Sequence, residues 1–241
     1  MNKFLFLILN YFVLCFIPPL NVIKTSGKLI SITYDTSRIN KINELTQKNI
    51  KILTSNCTNI ECVTIAKTDN ITFVAFRGTM TLNDWAINFN KKMVPLDVYN
   101  KSYGKMHKGY IKYYLNNRKL LLNLLNKHVN NNICICGHSA GGVLATLLCL
   151  DYYNKNKQKN MTLVTFGMPK FGNELLMESI NKESIYRYHY VVEGDIIPCF
   201  PLKKEYADYF PKIILESNKN FSLNIKNIQK THSMNEYLKL L

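Results

Sequence analysis

Between residues 110 and 129 apolar side chains return at helical spacing, at Tyr110, Tyr114, Leu121, Leu124 and Leu125, with no Gly or Pro among them. The segment therefore predicts an amphipathic helix. A polar Asn130-Asn131-Asn132 turn then leads into Ile133-Cys134-Ile135-Cys136, an unbroken apolar run that suits a strand buried on both faces. Helical spacing resumes over residues 143–153. Runs rich in β-branched and aromatic residues at 62–66, 71–76, 161–166 and 186–192 read as strands, the first two separated by Lys67-Thr68-Asp69-Asn70. Residues 31–34 and a helical pattern at 38–50 form an entry segment. Strands alternating with helices of this length predict an α/β fold with a central, mainly parallel sheet and helices on both faces. The chemistry of such a fold belongs at its strand ends.

The first residues follow neither pattern. Lys3 precedes an almost wholly apolar run from Phe4 to Ile17, closed by Pro18-Pro19. That run is short for a bilayer span, which takes about 20 residues, and it has the length of a secretory h-region. Residues 1–24 are thus expected to be a signal peptide or an uncleaved N-terminal anchor, and residues 25–241 a single α/β domain that is secreted or associated with endomembranes. A buried N-terminal strand or helix is the plainer alternative. Five N-x-S/T sequons, at Asn56, Asn70, Asn100, Asn160 and Asn220, add little in so Asn-rich a chain.

Composition narrows the partners. The net charge of +15 points to an anionic partner, but it rests on Lys; Arg stands only at 38, 77, 118 and 187. Nucleic-acid readers lean on clustered Arg forks and aromatic platforms, so no nucleic-acid partner is expected. A solvated Lys surface, or attraction to an anionic lipid interface, accounts for the charge. Of the seven cysteines, Cys57 and Cys62 close a small loop and form the most plausible bridge, while Cys134, Cys136 and Cys149 lie in apolar runs as buried thiols. No Cys/His spacing suggests zinc or another metal.

Gly137-His138-Ser139-Ala140-Gly141 is a G-x-S-x-G pentapeptide placed between an expected strand and an expected helix. That is the context of a nucleophile elbow, in which the serine sits at a sharp turn and glycines let strand and helix approach. A phosphate-binding loop would need a Lys that is absent here. Ser139 is the expected nucleophile, and it needs a base. Of His107, His128, His138, His189 and His232, only His232 follows both Ser139 and a plausible acid, the chain order this arrangement uses. The run 188–192 leads into Glu193-Gly194-Asp195, which makes Asp195 the expected acid at a strand end, with Glu193 and Asp208 as competitors. For the oxyanion hole the amide of Ala140 and Thr79, at the end of the strand Ile71–Phe76, are the candidates.

These residues occur within a longer set: Val74-Ala75-Phe76-Arg77-Gly78-Thr79, Asp84-Trp85, Met106-His107-Lys108-Gly109-Tyr110, the elbow with Gly142, Thr165-Phe166-Gly167-Met168-Pro169-Lys170-Phe171-Gly172-Asn173, Gly194-Asp195-Ile196-Ile197-Pro198 and His232. The chain resembles the class 3 lipases over roughly residues 60 to 240. The resemblance implies an α/β-hydrolase fold, no cofactor, and lipase or esterase activity on lipid esters. It assigns Ser139, Asp195 and His232 as a triad, with Thr79 and Ala140 at the oxyanion hole. Three positions depart from the family pattern: Asn88 for Asp, Lys170 for Arg, and Ala140 for the commoner Leu. The resemblance also implies a lid after Thr79; residues 80–93, with Met80, Leu82, Trp85, Ile87 and Phe89, could supply its apolar underside or simply pack in the core. Phospholipase or thioesterase activity through the same triad, and a catalytically dead membrane-associated binding module, are the rival readings.

Overall fold

A computed structural model describes residues 20–34, 50–57, 62–78, 92–98, 101–129, 132–156, 160–209, 211–217 and 224–241. Thr79, residues 80–91 of the expected lid, residues 1–19 of the expected leader and residues 38–49 of the entry helix lie outside them, as do the side chains of Cys57 and Cys62. The elements in chain order are α1 (Leu20–Tyr34), β1 (Lys51–Cys57), β2 (Cys62–Lys67), β3 (Ile71–Phe76), β4 (Met93–Val98), β5 (Lys101–His107), α2 (Lys108–His128), β6 (Asn132–His138), α3 (Ala140–Asn156), β7 (Met161–Phe166), α4 (Glu174–Asn181), β8 (Tyr186–Val192), β9 (Lys212–Leu215), α5 (Ile225–Thr231) and α6 (Met234–Leu240).

Among the described residues one sheet runs in the order β1-β2-β3-β6-β7-β8-β9. Its first three strands pair antiparallel, and β3 to β9 pair parallel. The mainly parallel sheet expected from the pattern is therefore present. The two-residue period of the strands splits the core in two. Val74, Phe76, Ile133, Ile135 and Leu163 join a cluster with α2, α3 and α4. Phe73, Ala75, Cys134, Cys136, Val164 and Phe166 face the other way, onto α1 and α6. Each large apolar side chain buried this way contributes about 1.5–3 kcal/mol relative to exposure.

α3 is buried from Ala140 through Tyr152 without a break. A helix enclosed on every side has no polar stripe, which is why its sequence reads as apolar all round. α2 begins where His107 caps it, accepting a hydrogen bond from the Gly109 N–H at 3.0 Å. α1, β1, the β4–β5 hairpin, α4 and β9 go beyond the sequence reading. The hairpin contains Pro95 and Gly104 (φ 116°), which break strand periodicity; α1 mixes Ser26, Gly27 and Thr33 into its buried face. α1 opens at Leu20, so residues 20–24 of the expected leader form part of a helix whose Val22 and Ile23 are buried. Cys134, Cys136 and Cys149 are buried free thiols, as expected.

β3, β6, β7 and β8 are consecutive neighbours in the parallel part of the sheet. Their carboxyl ends bring Arg77-Gly78, Ser139, Gly167 and the Glu193-Gly194-Asp195 turn to one edge.

Candidate active site

Ser139 has φ 55°, the one positive φ outside glycine among the described residues. A left-handed conformation with a side chain costs about 1–2 kcal/mol. It persists here because both flanks are fixed. The Ser139 N–H donates to Phe166 O at 2.9 Å, and Ser139 O accepts from the Gly142 N–H at 2.9 Å. Strand, turn and helix are pressed together: a Cβ on Gly137 would lie 2.2 Å from Gly141 O, and one on Gly141 would lie 2.2 Å from Arg77 O. The serine is the last residue before α3, so Ala140 opens that helix. First-turn amides of a helix have no partner within it and carry its positive pole, which suits them to a developing anion.

Asp195 follows a tight turn in which Gly194 takes φ 82° and the Asp195 N–H returns to Val192 O at 2.9 Å. Its carboxylate is buried and accepts from three donors. Oδ1 takes the Ile197 N–H at 3.0 Å; Oδ2 takes the Tyr237 hydroxyl at 2.6 Å and His232 Nδ1 at 2.8 Å. A carboxylate only accepts, so the His232 proton lies on Nδ1 and Nε2 is the basic nitrogen. His232 itself ends α5, its N–H bonded to Ile228 O at 2.9 Å, and Ser233 caps α6.

The competitors are engaged elsewhere. Glu193 is exposed and accepts from the Ser217 N–H at 3.1 Å. Asp208 pairs with Lys212 at 2.6 Å and with Lys170 at 3.3 Å. Burial opposes its ionisation, yet the Lys212 hydrogen bond and the two ammonium charges hold its carboxyl below the ordinary value. Lys170 thus anchors the loop after β8 from the position where the family pattern has Arg.

Two contacts bring the imidazole to the serine's end of the sheet. The rings of His138 and His232 lie 4.6 Å apart between centroids. Gly167, next to the carbonyl that holds Ser139, has φ 57° and lies beneath the pair: a Cβ there would stand 2.9 Å from both Asp195 Oδ2 and His232 Cε1. Of the expected site residues, the structure brings Asp195 and His232 into direct contact and sets Ser139 and Ala140 in the adjoining turn; Thr79 is outside the described residues. Among the described residues no group of three His, Cys, Asp or Glu side chains could hold a metal ion.

Sequence reasoning misses three participants. Tyr237 falls on the buried side of α6, and a lone Tyr in a short amphipathic helix carries no signal of its own. Tyr34 ends α1, which the pattern does not predict. His138, which chain order excludes as the base, is buried between Tyr34 and His232.

The family profile described as Lipase (class 3) matches residues 73–205. The chain is 27% identical over 136 residues to a lipase of Rhizomucor miehei and 24% identical over 171 residues to Phospholipase A1-II 1 of Oryza sativa subsp. indica. The matched parts are 54% and 61% of this chain but only 37% and 43% of those relatives, so the chain spans less than half of their length. Among solved structures, the native Rhizomucor miehei lipase propeptide complex superposes with a TM-score of 0.68 at 22% identity, covering 83% of this chain and 69% of that one. The lipase of Rhizopus microsporus var. chinensis gives 0.66 at 20% identity, covering 82% and 74%. These likenesses establish the α/β-hydrolase fold. The profile match covers more than half of the sequence, and the chain belongs to the class 3 lipase family.

Proposed function

We propose that the chain hydrolyses carboxylic esters of lipids through Ser139, His232 and Asp195. The observation that carries this is the Asp195–His232 hydrogen bond of 2.8 Å, made to a buried carboxylate at the strand end next to the strained Ser139 turn. Asp195 holds the imidazole in one tautomer and stabilises it once charged. His232 Nε2 takes the Ser139 proton as Oγ attacks the ester carbonyl. The tetrahedral oxyanion is received by the Ala140 amide, with Thr79 as the expected second donor. Each such donor is worth about 3 kcal/mol. The intermediate collapses as His232 returns the proton to the leaving alcohol, and water then releases the acyl group by the same path in reverse roles.

The experiment is direct. The wild-type chain should turn over glycerides or phospholipids and react with a fluorophosphonate at Ser139. Ser139→Ala should abolish both, and Asp195→Asn should lower kcat by about 10⁴-fold through the wrong tautomer. Full turnover by Ser139→Ala would refute the assignment; no labelling of the wild-type chain would favour a binding module. A phospholipase reading keeps the same triad and is supported by the rice relative. A panel of both substrate classes separates the two. Secretion, and docking of the Lys-rich surface on anionic lipid, belong to the same proposal; binding to anionic vesicles should then fall as salt rises.

A further inference from the structure

The Tyr34 hydroxyl accepts a hydrogen bond from the Gly78 N–H at 2.7 Å and stands 2.6 Å from His138 Nδ1. The other ring nitrogen of His138, Nε2, is 2.7 Å from the carbonyl oxygen of His232. The protons can be assigned. A carbonyl cannot donate, so Nε2 carries the hydrogen of the neutral imidazole. Nδ1 is then an acceptor, and the single Tyr34 hydrogen must point at it. The result is one directed chain, from Gly78 N–H to Tyr34, from Tyr34 to His138, and from His138 to the His232 carbonyl. Burial, and then the neighbouring His232, hold His138 well below the ordinary imidazole range, which keeps the chain in this one arrangement. Burial likewise pushes the Tyr34 phenol up, so its hydrogen stays in place.

Both ends of this chain reach the proposed site. Gly78 lies against the serine: a Cβ on it would stand 2.7 Å from Ser139 Cβ and 2.8 Å from the Tyr34 oxygen. It also immediately precedes Thr79, so its backbone sets where that residue begins. The other end is the backbone of the base. Resting on the hydrolase reading above, we propose that Tyr34 and His138 are positioning residues that tie the oxyanion side of the site to the backbone of His232 at a fixed separation. Neither touches substrate. They act by holding donors and base in register for the tetrahedral state, so their loss should be felt in that state and not in substrate binding.

The test uses Tyr34→Phe, which keeps the ring and removes both hydrogen bonds, and His138→Asn, which retains an acceptor near Nδ1 but cannot reach the His232 carbonyl. Active-site concentration is titrated with a fluorophosphonate, so that misfolded protein does not count. On a soluble short-chain ester, each variant should lose about tenfold in kcat with KM nearly unchanged. Affinity for an alkyl boronic acid, a tetrahedral mimic, should fall by the same factor. Because one chain is broken in each case, the double variant should lose no more than the worse single one. Wild-type kcat per titrated site in Tyr34→Phe overturns the proposal, as do losses that multiply in the double variant or appear only in KM. If the wild-type chain neither labels nor hydrolyses any ester, it is the hydrolase reading itself that fails, a result distinct from any of these.

Discussion

Substituting Ala for Gly141 adds one methyl group where three backbone segments meet. The new Cβ would lie 2.2 Å from Arg77 O, 2.6 Å from Arg77 C and 2.8 Å from Phe76 O. Ordinary contact begins near 3.4 Å, so the closest pair is about 1.2 Å too near. No flexible side chain can give way, because the crowded atoms are the main chain at the end of β3 and the first turn of the buried helix α3. Overpacking of this kind costs about 1–3 kcal/mol. For a domain of this size that lowers Tm by about 2–4 °C per kcal/mol. Activity should suffer more. The displaced segment, Phe76 to Gly78, leads into the expected oxyanion residue, and a misplacement of about 1 Å costs on the order of 10²-fold in rate. The assay is kcat/KM per titrated active site alongside a thermal melt. Gly142→Ala is the milder comparison: its nearest contacts would be Met168 Cβ at 3.0 Å, Cγ at 3.1 Å and Sδ at 3.3 Å, an overlap of a few tenths of an ångström against a side chain and not against backbone at 2.2 Å. Gly142→Ala should keep most of its activity. If Gly141→Ala melts and turns over like the wild type, the close packing of elbow on strand is refuted.

Tyr237→Phe removes a 2.6 Å donor from the buried Asp195 carboxylate. It should cost about 1.5–3 kcal/mol in urea denaturation, and kcat should fall as the carboxylate loosens; unchanged stability would show that the bond contributes nothing. Stability should also decline in mild acid. Burial, aided by Lys212, lowers His189 from 6.5 to about 3, and burial lowers His138 in the same direction. Below 6.5 the unfolded chain takes up protons that the folded chain refuses, so stability falls with pH by about 1.4 kcal/mol per unit for each such histidine. Urea midpoints between about pH 6.5 and 5 measure this slope, and His189→Asn should remove one proton's share of it. A flat profile over that window would refute the assignment.

The parts legible in the sequence are those in which one local signal has one spatial outcome. Ile133 to Cys136 can only be a buried strand, Gly137 to Gly141 can only turn sharply after it, and His232 is the one histidine late enough to meet Asp195. The rest depends on contacts between distant segments. Tyr34 matters because α1 lies across the sheet, and α1 hides its amphipathic pattern behind Ser26, Gly27 and Thr33. Tyr237 matters because α6 points it at a carboxylate 42 positions earlier. β9 reads poorly because Ile213 and Ile214 are exposed on an edge strand, where alternation has little to report.

α1 and α6 cover the same face of the sheet, and a Cβ on Gly27 would stand 2.8 Å from Leu238 Cδ2. During synthesis α1 meets β2, β3 and β6 first, and its contact with α6 is added only when that later helix has emerged. The same late segment delivers the imidazole and the phenol that steady Asp195. Under the proposed mechanism a growing polypeptide thus holds its serine well before it holds the base that would activate it, and any hydrolytic power would wait on that later segment.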